Sequence, residues 1–332
     1  MIKAVLLFIV GLLLLIKGGD WFVDGATGIA KRFHVPDLLI GATVVSIGTT
    51  LPEVMVSATS AVQGLGDMAY GNAIGSIICN TSLVAALTIA IKPSDVPRKS
   101  MIKPVIFFFV AAIIYTGVAF VTGNFTRFTG IFLLCIFVCY MVVLILQAKK
   151  EMKAAQTAQI DNDDKDKEKE HALWLDLVLL VVGAALITLG ANLLVDNGTY
   201  IATELGVPQT VIALTFVALG TSLPELVTAI TSLAKGHGAL SLGNIIGANL
   251  FNLVLVSGVS ITLAPFKLPT EKLAPFSLFG TNNASLVIDV PVMLGVMILM
   301  TIPTLITGKL RRWQGIALLT IYCGYCVFQF AL

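Results

Sequence analysis

The sequence predicts an all-α membrane protein of ten transmembrane helices, arranged as two five-helix repeats of inverted topology. Three observations carry that prediction. Of 332 residues, 57% are hydrophobic and only 12% charged, and the mean hydropathy is +0.95, well outside the usage of soluble domains. Apolar runs of about 20 residues, long enough to cross a hydrocarbon core about 30 Å thick, follow one another along the whole chain. One stretch also returns at a fixed distance. VPDLLIGATVVSIGTTLPEV (Val35 to Val54) reappears as VPQTVIALTFVALGTSLPEL (Val207 to Leu226), and GNAIGSIICN (Gly71 to Asn80) as GNIIGANLFN (Gly243 to Asn252).

The first span opens near Ala4. The apolar run Ala4 to Ile16 continues into helix without a small-residue cleavage site, so it reads as a span rather than a signal peptide. Lys17 and Asp20 near its inner end are expected to form an i,i+3 pair. The second span runs from about Leu38 to Val62 with GTTLPE at its middle, and the third from Gly71 to Ile91. The fourth and fifth, Pro104 to Val121 and Phe128 to Leu146, hold no internal charge and read as scaffold.

A polar segment then interrupts the apolar pattern. Residues 148–171 are dense in Lys, Asp and Glu, and Asp161, Asp163 and Asp164 resemble a calcium loop. That loop needs a Gly at its sixth position and a Glu at its twelfth, which are missing in register, so the segment reads as a solvated linker. It divides a first repeat, residues 1–147, from a second, residues 172–332.

The second repeat supplies spans at about Leu173 to Asn197, Thr210 to Leu233, Leu240 to Leu263, Val287 to Ile306 and Trp313 to Ala331. Asp24 aligns with Asp196, Pro36 with Pro208, Glu53 with Glu225 and Asn80 with Asn252 without a gap. An odd number of spans in each copy forces the second to enter the membrane in the opposite sense, and such repeats bind substrate at their interface near the midplane. Lys31, Arg32, Lys92, Arg98, Lys99, Lys103, Lys149, Lys150, Lys153, Lys309, Arg311 and Arg312 fall on one side, which puts both termini outside a plasma (inner) membrane. The five cysteines lie in apolar helical stretches and read as buried, inert thiols.

Within each repeat, a carboxylate in a spanning helix costs about 2.5 to 3.5 kcal/mol on insertion scales, so Glu53 and Glu225 at matched positions mark a functional site. Pro52 and Pro224 remove an N–H and leave backbone acceptors around Ser46 to Gly48 and Ala218 to Gly220 without helical partners. Such backbone survives in a membrane only against protein, water or a ligand, and the negative end of a half-helix suits a cation.

Thr49, Thr50 and Glu53 share a face, as do Thr221, Ser222 and Glu225. Asn72, Ser76 and Asn80 are spaced by four, and so are Asn244, Ala248 and Asn252. Every donor in this set is oxygen, with no His or Cys beside the acids. That is a ligand set for hard cations, and Ca²⁺ with its flexible shell suits it better than Mg²⁺. Two ionised glutamates are neutralised by one Ca²⁺ or by two Na⁺, so one can replace the other without leaving a bare charge. The flanking Gly71, Gly75, Gly243 and Gly247 are expected to let helices pack closely.

The paired GT-[ST]-LPE and GN-x-I-G-x-x-x-x-N motifs resemble the repeats of the cation/calcium exchanger superfamily, in its prokaryotic sodium/calcium exchanger branch. The resemblance implies a diamond of cation sites at mid-membrane, sodium-driven calcium extrusion, and alternating access by sliding of the first and sixth helices. It implies that Glu53 and Glu225 bind Ca²⁺ and share Na⁺, and that Thr49 and Thr221 give backbone or hydroxyl oxygens. It further assigns hydroxyls to Thr50, Ser222 and Ser76, carbonyls to Ser46 and Ala218, and the central position to Asn80 and Asn252.

Three positions depart from the family pattern: Asn252 where relatives carry an acid, Ala248 where its partner Ser76 keeps a hydroxyl, and Ile77 in place of the Asn kept at Asn249. The expected partners are the bilayer and the ions Ca²⁺ and Na⁺ (or H⁺), with no cofactor, nucleic acid or obligate protein. A proton/calcium antiporter is the alternative, since the same carboxylates can take protons. A passive channel would need a filter loop that the sequence lacks, and an enzyme a nucleophile or zinc-ligand set at membrane depth.

Overall fold

The computed structural model describes residues 1–159, 173–206, 220–270, 273–278 and 280–331. It is mostly helical, and among the described residues eight helices are long and apolar enough to cross a membrane. In chain order the helices are α1 (Ile2–Arg32), α2 (Asp37–Val62), α3 (Gly66–Ile91), α4 (Arg98–Val121), α5 (Arg127–Gln159), α6 (Leu173–Glu204), α7 (Leu223–Ala234), α8 (Gly238–Leu263), α9 (Ser285–Thr307) and α10 (Arg312–Ala331). The long scaffold helix α5 continues to Gln159, past the boundary expected near Leu146. The three linker aspartates lie outside the described residues, as does the chain before Gly220 that was expected to open the seventh span.

The chain divides into two compact units, residues 1–49 with 144–244 and residues 50–143 with 245–332. In the first unit α1 and α6 pack antiparallel along a seam of glycines. A Cβ on Gly11 would come 2.9 Å from the Gly190 carbonyl oxygen, and one on Gly18 would come 2.8 Å from Ile187 N and 3.0 Å from Gly183 O. Gly11 and Gly183 are equivalent positions of the two repeats, and so are Gly18 and Gly190. The two contacts thus join matched positions of the repeated sequence, with the partners exchanged.

Polar side chains close one end of this seam. Asp176, 3% exposed, lies 3.7 Å from the Arg32 guanidinium. Asp20 does not pair with Lys17. Its carboxylate and that of Asp24 lie 3.4 and 2.8 Å from Lys235 Nζ, and Lys17 stands over the Trp21 ring. The local i,i+3 pair loses to a longer-range partner that reaches two carboxylates at once.

The second unit repeats the same logic with different elements. Short antiparallel ladders join β1 (Ser94–Asp95) to β6 (Lys309–Leu310) and β2 (Asn124–Phe125) to β3 (Phe266–Lys267). Ser94 and Phe266 are equivalent, and Gly123 and Gly308, both with positive φ, turn the chain into β2 and β6. Each ladder thus pairs one strand from residues 1–147 with one from residues 172–332. Gly130 packs against Gly258 and Thr262, and Gly315 against Ala86 and Ala90, again at reciprocal positions. Only the second copy inserts a hairpin, β4 (Leu273–Leu278) with β5 (Thr281–Asn283).

Two expectations are corrected. Gly243 packs against the Leu38 backbone as expected, but nothing lies within 4 Å of a Cβ on Gly71 or Gly75. Of the cysteines, all free, only Cys79 is buried, while Cys135, Cys139 and Cys323 are exposed and Cys326 half-buried. On a spanning helix the outward face meets lipid, where a thiol behaves as a small hydrophobe.

Candidate functional site

The site elements are irregular helices. Helix α2 passes through a π-turn at Gly41–Val45 and continues as α-helix through Pro52. Its counterpart behaves differently. Ser222 has non-helical angles and takes the N-cap position of α7 without a side-chain cap bond, so Pro224 stands in a first turn, where proline is tolerated. Further π-turns begin at Asn80 (Asn80–Ala85) and at Asn252 (Asn252–Val256). These are equivalent positions, and π-turns of this kind are frequent at functional sites.

In the first unit Asn244 of α8 is the hub. Ser46 Oγ donates to its carbonyl at 3.0 Å and Thr49 Oγ1 to its side-chain Oδ1 at 3.2 Å. Asn244 Nδ2 in turn donates to Thr228 Oγ1 at 3.3 Å. The approach depends on Gly41, where a Cβ would run into the Leu240 carbonyl and Asn244 N. Thr49 also neighbours the Glu225 carboxylate, so residues of the first GTTLPE stand beside the acid of the second. Glu225 is 0% exposed and Ser222 2%, whereas Thr221 is half-buried.

In the second unit Glu53 is 0% exposed. Asn72 Nδ2 of α3 reaches the Glu53 carbonyl at 3.3 Å and Ser57 Oγ at 2.8 Å. Ser76, Asn80 and Asn252 are buried, at 4%, 0% and 0% exposure. Asn252 Nδ2 is turned to the Ala248 carbonyl at 3.1 Å, which leaves Oδ1 as the atom it can offer elsewhere. Ala218 lies outside the described residues.

Many of the atoms singled out from the sequence are ones the fold leaves without partners. Thr50 Oγ1, both side-chain atoms of Asn80, Ser222 Oγ, both carboxylate oxygens of Glu225 and Asn252 Oδ1 are buried with no hydrogen-bond partner among the described residues. Such a group costs about 1–3 kcal/mol if nothing meets it. Buried oxygens of this kind are suited to a cation, because each is satisfied when an ion arrives. Among the described residues no three of His, Cys, Asp and Glu cluster, so amides and hydroxyls must complete any shell.

Asn72 and Asn244 were legible as members of the four-spaced series, although their role as hydrogen-bond hubs was not. Thr228 and Ser57 carry no sequence signal, because a hydroxyl in a spanning helix is ordinary.

Comparison with known proteins agrees with this chemistry. The family described as sodium/calcium exchanger protein matches residues 3–146 and 175–331. The inner membrane protein YrbG of Escherichia coli is 34% identical over 274 residues, covering 80% of this chain and 81% of its own. The sodium/calcium exchanger MaX1 of Methanosarcina acetivorans is 29% identical, covering 98% of each chain. Among solved structures, the sodium-calcium exchanger NCX_Mj soaked with Na⁺ and Sr²⁺ superposes with a TM-score of 0.79 at 30% identity, over 98% of both chains. The chain belongs to the sodium/calcium exchanger protein family.

Proposed function

We propose that the protein is a secondary active antiporter that exchanges Ca²⁺ for Na⁺ across the membrane by alternating access. One observation carries this reading: each repeat buries a carboxylate, Glu53 or Glu225, and the paired motifs hold buried hydroxyl and amide oxygens that lack partners among the described residues. The two acids hold one Ca²⁺ or the Na⁺ ions that displace it. Thr49, Thr50, Thr221, Ser222 and Ser76 supply hydroxyl or backbone oxygens, Ser46 and Ala218 carbonyls, and Asn80 and Asn252 the centre.

The finer architecture belongs to the same reading. Residues 1–147 and 172–332 are inverted five-helix repeats joined by a cytoplasmic linker, giving ten spans with both termini outside a plasma membrane. The reciprocal glycine contacts of α1 with α6, and the reciprocal β1–β6 and β2–β3 ladders, support the inversion. The seam between α1 and α6 supports their moving as a pair, since it is built of backbone and small residues rather than interlocking side chains.

The test is calcium flux in proteoliposomes. Uptake should follow an imposed Na⁺ gradient and stop when it is collapsed. Uptake indifferent to Na⁺ but driven by a pH gradient in sodium-free buffer would replace Na⁺ by H⁺ as the coupling ion, a result toward which the missing hydroxyl at Ala248 leans.

A further inference from the structure

Beside the central asparagines lies a polar cluster that the ion site does not itself use. Asn249, 0% exposed, donates from Nδ2 to Thr81 Oγ1 at 2.7 Å and to Met297 Sδ at 3.2 Å. The Thr81 hydroxyl in turn donates to Met297 Sδ at 3.3 Å. Thr81 follows Asn80 in the π-turn, and Asn249 precedes Asn252 by three residues, on the same face of α8.

The amide therefore ties the turn that carries one central asparagine to the helix that carries the other. Asn249 Oδ1 is buried without a partner among the described residues, as are oxygens of Asn80 and Asn252.

The repeat supplies an internal comparison. The position equivalent to Asn249 is Ile77 and that equivalent to Thr81 is Leu253, both 0% exposed. One copy of this contact position carries polar side chains, and the other does without them. If the contact served packing alone, an apolar pair would suffice in both halves, as Ile77 and Leu253 show that an apolar side chain is accommodated there.

We infer that Asn249 is a positioning residue for the ion site. Through Thr81 it fixes the π-turn at Asn80 relative to Asn252 and so sets the spacing of the two central oxygens. This rests on the exchanger reading above. Groups that hold a ligand from outside typically change metal affinity by about 10- to 100-fold when removed, and Asn249 acts on Asn80 through the neighbouring Thr81.

The test compares purified full-length variants by Ca²⁺ titration and thermal unfolding. Thr81→Ser, which keeps the hydroxyl, should bind like the parent. Asn249→Leu and Thr81→Val should each weaken Ca²⁺ binding by about 10- to 100-fold. The double variant Thr81→Leu/Asn249→Ile copies the apolar pair of the other half. It should regain thermal stability, because no polar atom is stranded, while its affinity stays low.

Recovery of affinity together with stability in the double variant would overturn the inference, as would Asn249→Leu binding Ca²⁺ like the parent. A parent protein that binds no Ca²⁺ at all would bring down the exchanger reading and the inference with it. Binding in the parent that is indifferent to Asn249 ends the inference alone.

Discussion

Glu53→Gln and Glu225→Gln should each abolish calcium exchange in proteoliposomes, by at least about 100-fold, while the protein still folds and inserts. Glutamine keeps the volume and one oxygen but removes the charge. In the proposed site a divalent ion would then have one carboxylate instead of two, and an uncompensated charge in low dielectric costs several kcal/mol. At 1.4 kcal/mol per tenfold, that loss exceeds what the neutral oxygens of Thr50, Asn80 or Ser222 can restore.

Stability should move the other way or not at all, since both carboxylates are fully buried and a neutral amide is cheaper to hold there. Unfolding of the purified variants followed by fluorescence checks this. A glutamine variant that still exchanges Ca²⁺ at the parental rate would make the acids structural.

Gly18→Val should be strongly disruptive although it lies outside the candidate ion site. Its Cβ would fall within 3.0 Å of backbone atoms of α6, at Ile187 N and Gly183 O, and backbone cannot give way as a flexible side-chain end can. Overpacking of this sort typically costs about 1–3 kcal/mol. Because Gly11 and Gly190 meet at the reciprocal point, Gly11→Val should do similar damage, and the pair together should prevent normal accumulation of the protein. Gly117→Ala is the matched control, because nothing stands within 4 Å of its Cβ. Thermal unfolding in detergent should fall by several degrees for Gly18→Val and hardly change for Gly117→Ala.

The legible part of the fold was whatever depends on periodicity and repetition. Helices α3, α4, α8 and α9 lie where the apolar runs place them, and Glu53 and Glu225 are both buried within such runs. Geometry that depends on tertiary context was not legible. Pro52 and Pro224 occupy the same motif, yet one lies within a continuous helix and the other starts one. What differs is the local backbone: Ser46–Val62 runs as unbroken helix through Pro52, whereas Ser222 takes the N-cap position two residues before Pro224.

The glycines teach the same lesson. Gly71 and Gly243 are equivalent letters, but only Gly243 meets a neighbouring backbone. The Ile77 departure, opaque in sequence, becomes interpretable once Asn249 is seen bonded to Thr81. Asp20 finds Lys235 more than 200 residues away, a pairing that no local pattern announces.

Titration of Ca²⁺ into the purified protein, with and without Na⁺, reaches furthest into the account, because it asks whether two buried acids hold a divalent ion that monovalent ions displace. Calorimetry in sodium-free buffer should show Ca²⁺ binding that weakens progressively as Na⁺ is added and vanishes in Glu53→Gln and Glu225→Gln. Ca²⁺ binding of unchanged affinity across the Na⁺ series, or surviving in both glutamine variants, would contradict it.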